Sequence, residues 1–243
     1  VSRVELIAEC STNCGGSIPL AKEFIARFAE AGATFVKFQT TRVRHLSPAD
    51  PQYDWFAKAE LSDAAHHELL AECRAHNVGF LTTVYHPDEV PFLVALGLGT
   101  IKVGSGEAGS WPLSRALELS RVPRVLVGSG LLAPESAGHP FQYVTNATYL
   151  RCVTLYPCDA WRADLELAKG FTMRTRGWSD HCVGLGGVEG ALARGASIIE
   201  VHVCLPSQAR PVQPWEKSIE DVRAIHALIQ QAPYQRFVGR WTA

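Results

Sequence analysis

The sequence predicts a single-domain (β/α)8 TIM barrel of the α/β class, and three observations lead to it. Short apolar runs of strand length alternate with longer stretches at helical period, eight units in all. The connections between them are as short as βα units use. A length of 243 residues suits one such barrel, typically about 250 residues. No domain boundary, internal repeat or low-complexity linker interrupts the pattern, so residues 1–243 read as one domain. A doubly wound open sheet is the competing arrangement of the same units.

The first strand is expected over 4–8, followed by a helix over 20–31 whose Leu20, Phe24, Ile25 and Phe28 share one stripe. Gly32 closes that helix just past its C-cap. Strand two is expected over 34–38. A polar loop with Pro48, Asp50 and Pro51 follows, then a helix that Ser62 caps and that runs to about His76. Strand three spans 79–84 and leads to a helix over 87–96 with proline in its first turn. Strand four spans 100–103, its helix 111–120, and strand five lies within 122–127. The stretch 131–148 holds Pro134, Gly138 and Pro140 without a helical period, so the helix of this unit is short or missing. Strand six is expected over 149–153 with a helix over 165–173. Strand seven begins at Gly177, ahead of a helix over 184–194. Strand eight over 197–201 and a helix over 218–230 complete the series.

A net charge of −1 with scattered Lys and Arg argues against a nucleic-acid stripe or a polybasic membrane patch. No apolar run reaches the roughly 18 residues of a membrane span. Val1 to Glu5 lead straight into a strand, so no signal peptide is expected. Seven cysteines, an odd number scattered along the chain, do not suit a disulfide framework. They read as reduced core thiols of a cytoplasmic protein, with Cys10 and Cys14 alternatively a weak metal pair. Trp55, Trp161, Trp215 and Trp241 read first as core aromatics and second as pocket or subunit-interface residues.

In a barrel, chemistry belongs at the C-terminal ends of the strands and in the loops after them. Lys37 alternates with apolar residues in Phe35-Val36-Lys37-Phe38-Gln39, and Lys102 does so in Ile101-Lys102-Val103. A lysine aimed into a barrel needs an anion, either a carboxylate such as Glu9 or Glu107 or a ligand. Gly104-Ser105-Gly106-Glu107 and Gly128-Ser129-Gly130 follow strands four and five. Both offer backbone N–H groups and a hydroxyl to a phosphate or carboxylate, although a tight βα turn uses the same residues. His181 and His202 leave neighbouring strands on one rim, with Asp180 and Glu200 beside them, a set that suits a divalent cation. Either histidine alone reads equally well as a strand cap.

Six stretches, in chain order, resemble the sialic acid synthases. They are Ile7-Ala8-Glu9 with Asn13-Cys14-Gly15-Gly16-Ser17, Val36-Lys37-Phe38-Gln39-Thr40, Lys102-Val103-Gly104-Ser105-Gly106-Glu107, Leu155-Tyr156-Pro157, Ser179-Asp180-His181 and Ile199-Glu200-Val201-His202. The resemblance runs from near residue 6 to about residue 203 and implies the same barrel. It implies a condensation of phosphoenolpyruvate with a sugar aldehyde, giving a 2-keto-3-deoxy acid and inorganic phosphate. It implies His181 and His202 as ligands of a divalent metal, Mn²⁺ or Mg²⁺, and Lys37, Thr83, Lys102, Ser105 and Ser179 as phosphoenolpyruvate contacts. Glu9, Gln39, Glu107 and Tyr156 fall where the family holds the acceptor or manages protons, and Tyr85 replaces an aromatic neighbour. Glu9, Glu107, Lys37 and Lys102 are thereby the expected catalytic residues, and a homodimer is the expected assembly.

The chain also departs from that family's pattern. The family usually carries Asn where Thr154 stands and Ser where Gly128 stands, which leaves Thr154 and Ser129 as the expected donors to phosphate. After the last strand it usually carries Gly-Pro-Asp, whose Asp binds the sugar. The nearest stretch here is Arg210-Pro211-Val212-Gln213-Pro214-Trp215, where Gln213 is the remaining acceptor contact. The resemblance further implies a barrel alone, without the family's C-terminal antifreeze-like domain. The acceptor is therefore expected to be another aldose or a smaller aldehyde. A barrel aldolase or lyase with a Schiff base at Lys102, and a non-catalytic sugar-phosphate-binding protein, are the alternative readings.

Overall fold

The computed structural model describes residues 4–231, in which eight parallel strands close into a barrel in chain order. They are β1 (Glu5–Ser11), β2 (Phe35–Thr40), β3 (Gly79–Val84), β4 (Thr100–Val103), β5 (Arg124–Gly128), β6 (Ala147–Arg151), β7 (Thr175–Asp180) and β8 (Ile198–His202). Helices α1 (Ile18–Glu30), α2 (Tyr53–Ala59), α3 (Asp63–Ala75), α4 (Val90–Ala95), α5 (Trp111–Ser120), α6 (Ala160–Leu167), α7 (Gly186–Ala193) and α8 (Ile219–Gln230) lie between and after them. Ser17, Ser62, Ser110 and Ser218 each accept a hydrogen bond from a backbone N–H of the first turn of α1, α3, α5 and α8. Such a cap contributes about 1 kcal/mol to the helix start.

Strand alternation divides the side chains into two sets. Outward residues such as Leu6, Val36, Phe38 and Ile101 join Phe24, Phe28, Leu69, Leu113 and Val222 of the helices in the main core. Inward, Ile7, Leu81, Leu126, Leu150 and Ile198 form an apolar layer across the barrel. A Cβ on inward-facing Gly177 would stand 2.7 Å from Leu150, so this layer closes only around a glycine there. Below it, the Arg124 guanidinium pairs with Glu5 across the floor. Above it, two residues on, the inward set turns polar in most strands, with Gly128 of β5 an exception. Register puts Glu9 beside Lys37 and His202, Thr83 beside Lys102, and Ser179 beside Glu200.

Three elements differ from the sequence expectation. The sixth helix lies at Ala160–Leu167 rather than 165–173. Its buried positions are Ala163 and Leu167; the left-handed backbone at Gly170 then ends it, and Met173 beyond is exposed. Strand β6 sits two residues earlier than 149–153, leaving Val153 and Thr154 free to form the rim. The loop after β2 contains α2, a short helix whose single buried residue is Ala59, too weak a stripe to read from period. The stretch 131–148 does lack an α-helix and holds one 3₁₀ turn, Pro140–Tyr143. All seven cysteines are buried and free, with Cys10 and Cys14 in the apolar core. Trp161 is exposed and Trp178 is the fully buried tryptophan, while Trp241 lies outside the described residues. No helix among the described residues is long and apolar enough to cross a membrane.

Candidate active site

At the C-terminal mouth the inward polar layer lines a cavity of about 310 Å³. Lys37 is buried at its base, with its ammonium 2.9 Å from Glu9 Oε2 and 2.9 Å from Glu200 Oε2. It also donates to Thr83 Oγ1 at 3.2 Å. Lys102 stands 3.6 Å from Glu200 Oε1 and donates to the Val103 carbonyl. Ser179 Oγ donates to Glu200 at 2.8 Å. Two ammonium groups and two carboxylates thus balance one another in a site removed from water, where an unpaired charge would be costly.

The two carboxylates are not equivalent. Burial lifts Glu9 to about 6, because the attraction of Lys37 is partly offset by the repulsion of Glu200. Burial opposes ionisation of Glu200 too, but Lys102 and Lys37 together, with Ser179, hold it far below the usual carboxylate range. The lysines divide likewise. Burial works against the charge of Lys37, and Glu200 and Glu9 more than restore it, so its pKa rises. Burial lowers Lys102, with only Glu200 close by in compensation. Above this cluster, burial raises Glu107, and it raises the Tyr85 phenol well above its ordinary value with help from Glu9 and Glu107.

His181 and His202 face one another across the same mouth, ring centroids 5.3 Å apart and planes at 57°. His181 Nδ1 lies 2.6 Å from the Val153 carbonyl and so must carry the proton, which leaves Nε2 with a free lone pair. Burial pulls both imidazoles toward the neutral form. Two neutral imidazoles, that of His181 with its tautomer fixed, beside Glu9 and Glu200 Oε2 atoms whose partner is Lys37, fit a divalent cation. A second group, His45, His86 and Asp88, lies outside the mouth. There the two rings stack at 3.7 Å and 9°, so their in-plane lone pairs cannot meet on one ion, and the nearby Arg44 disfavours a cation further.

The cavity brings together Glu9, Lys37, Gln39, Thr83, Tyr85, Lys102, Ser105, Glu107, Thr154, Tyr156, Ser179, His181 and His202. Tyr156 lies against His181 at 4.0 Å between centroids, and Trp215 meets its edge at 5.6 Å. Gln39 donates to Glu9 and Ser11. Two expected residues lie elsewhere. The Ser129 hydroxyl turns away to the Leu150 carbonyl at 3.0 Å, because its strand position alternates outward from inward-facing Gly128. Gln213 folds onto its own loop, donating to the Pro211 carbonyl at 2.8 Å, with its backbone N–H on Glu216. Glu200, expected beside the histidines, lines the cavity, as does Cys152, which the sequence did not single out, whereas Asp180, expected there too, does not line it and pairs with Lys217 instead. At Gly128 a Cβ would stand 2.8 Å from Ser105 Oγ and 3.3 Å from Lys102 Nζ, so glycine keeps the floor between those donors open.

Fold and site define a TIM barrel whose C-terminal mouth gathers Lys37, Lys102, Glu9, Glu200, His181 and His202. The NeuB family matches residues 24–231, and the chain belongs to that family. The chain is 29% identical over 227 residues to the N,N'-diacetyllegionaminic acid synthase of Campylobacter jejuni, covering 82% of this chain and 67% of that protein. It is 28% identical to the N-acetylneuraminate-9-phosphate synthase of Drosophila melanogaster, covering 84% of this chain and 61% of the other. The chain thus spans about two thirds or less of the length of these curated relatives. The crystal structure of an N-acetylneuraminic acid synthetase from Leptospira borgpetersenii shares the fold. Its TM-score is 0.80 at 21% identity, over 99% of this chain and 86% of that one.

Proposed function

We propose that the barrel condenses phosphoenolpyruvate with a sugar aldehyde, in a divalent-metal-dependent reaction that yields a 2-keto-3-deoxy sugar acid and phosphate. The observation that carries this reading is the convergence of Lys37, Lys102, His181 and His202 on one buried mouth. Lys37 and Lys102 neutralise the phosphate and carboxylate of the donor, and Thr83, Ser105, Ser179 and Thr154 supply hydroxyls around them. His181 and His202 hold the cation, Mn²⁺ or Mg²⁺, which when bound polarises the aldehyde oxygen. Gln39, Tyr85 and Tyr156 flank the acceptor. Glu107, raised by burial, takes the proton of the water that adds to C2 of the donor. Neither Gln213 nor an acid from its loop reaches this mouth, which favours an acceptor held mainly by residues of β1 to β3 and β6.

The names of the relatives favour a nonulosonic acid as product, and the acceptor is then an aldose. The test is release of inorganic phosphate from phosphoenolpyruvate with Mn²⁺ or Mg²⁺ against a panel of aldoses and small aldehydes. Metal-dependent release with at least one acceptor, abolished in His202→Ala, is the expected result. No release with any acceptor refutes the reading. The lowered ammonium of Lys102 also suits a Schiff-base aldolase. Borohydride trapping of a carbonyl substrate on Lys102 would replace the first reading with that one.

A further inference from the structure

Behind the two histidines, outside the cavity, lies a buried ion pair that the reaction does not touch. Lys217 and Asp180 are 1% and 0% exposed at their side chains, and Lys217 Nζ stands 3.0 Å from Asp180 Oδ2. The other carboxylate oxygen accepts from Trp178 Nε1 at 2.9 Å. Lys217 Nζ also donates to the Cys182 carbonyl at 2.6 Å and the Trp215 carbonyl at 3.1 Å. Its backbone N–H donates to the His202 carbonyl at 2.8 Å, and its own carbonyl accepts from Cys204. One residue therefore grips β7 on both sides of His181, through Asp180 and Cys182, and grips β8 at His202 itself. Asp180 lies so close to the first turn of α7 that a Cβ on Gly187 would collide with its Oδ1.

A buried ion pair is weak as a source of stability, since well-packed apolar residues of similar volume replace one at little or no loss. Its specific product is geometry. We infer that Lys217, with Asp180, is a positioning residue that sets the separation and aim of His181 and His202 for the metal. Lys217 is absent from the cavity lining, so it acts through the two strand ends and not on substrate. It also fixes the loop whose Trp215 packs against Tyr156, which itself lies on His181. The inference rests on the metal reading of those two histidines.

The test separates geometry from stability. Lys217→Met alone leaves the Asp180 charge buried without its cation and is expected to lower the melting temperature. The double variant Asp180→Asn with Lys217→Met removes both charges, keeps an acceptor for Trp178, and is expected to melt near the wild type. Mn²⁺ affinity, read from the loss of the free-ion signal in electron paramagnetic resonance, is expected to be at least tenfold weaker in the double variant. A double variant that binds Mn²⁺ as the wild type does overturns the inference. So does one in which affinity recovers in step with melting temperature, the mark of a purely structural pair. A wild type that binds no Mn²⁺ overturns the metal reading itself, and the positioning role with it.

Discussion

Replacing Glu9 with Gln tests the charge pattern of the mouth without any assumption about substrate. The carboxyl is 1% exposed and shares the Lys37 ammonium with Glu200, both at 2.9 Å. Burial lifts its pKa from 4.5 to about 6. A carboxyl whose folded pKa lies above its unfolded value holds its proton more tightly in the folded state. Its contribution to stability is therefore full below pH 4.5 and is lost as pH rises through about 6. At about 1.4 kcal/mol per pH unit, that interval corresponds to about 2 kcal/mol. Gln stays neutral throughout and has no such dependence. Urea unfolding of both proteins from about pH 4 to about pH 7.5 gives the difference in unfolding free energy at each pH. Taking the difference cancels groups far from Glu9, and the lowered values of Glu200 and the two histidines act in the opposite sense. Relative to wild type, Glu9→Gln should gain about 2 kcal/mol between the acid and neutral ends. A flat difference, or a relative loss toward neutral pH, would show that Lys37 holds Glu9 ionised after all.

Leu126→Ala, in the inward apolar layer beneath the site, should cost about 2–5 kcal/mol in the same unfolding assay, because the closed barrel cannot collapse into the void. A loss under about 1 kcal/mol would mean the layer is loosely packed. Lys102→Met should weaken phosphoenolpyruvate binding at least tenfold by calorimetry while leaving the fold intact, since Glu200 keeps Lys37 as partner. Unchanged binding would remove Lys102 from the donor site.

The barrel was legible because its two periods are strong. Strand alternation in Phe35-Val36-Lys37-Phe38-Gln39 tells at once that Lys37 and Gln39 face one way and Val36 and Phe38 the other. The same parity placed Lys102 and Ser179 correctly, since one missed residue would have flipped each to the outer face. Where strands end, the sequence is harder to read. Ser129 looked like a donor because it stands in Gly-Ser-Gly, but strand β5 runs to Gly128, and parity there sends the next side chain outward. Gln213 follows no strand at all, and its direction is set by Glu216 and Pro211, partners that no local spacing reveals. Lys217 lies 35 residues from Cys182, the carbonyl it grips, and that contact exists only once β7 and β8 are side by side.

Barrel closure also explains how two glutamates of identical chemistry become an acid and a permanent anion. Glu200 enters from β8, between β7 with Ser179 and β1 with Lys37's other partner, and both lysines reach it. Glu9 enters from β1 and has Lys37 alone at close range. In the proposed reaction the donor brings more negative charge to the same two ammonium groups. A cation at His181 and His202 would offset part of that charge, and any remainder falls on the groups of the mouth, because burial penalises net charge. The group that yields at least expense is the one already nearest to protonation, which is Glu9 at about 6 and not Glu200. If the proposed reaction holds, Glu9, beside Gln39, is therefore the carboxyl placed to give a proton to an acceptor oxygen that becomes a hydroxyl, while Glu200 stays ionised.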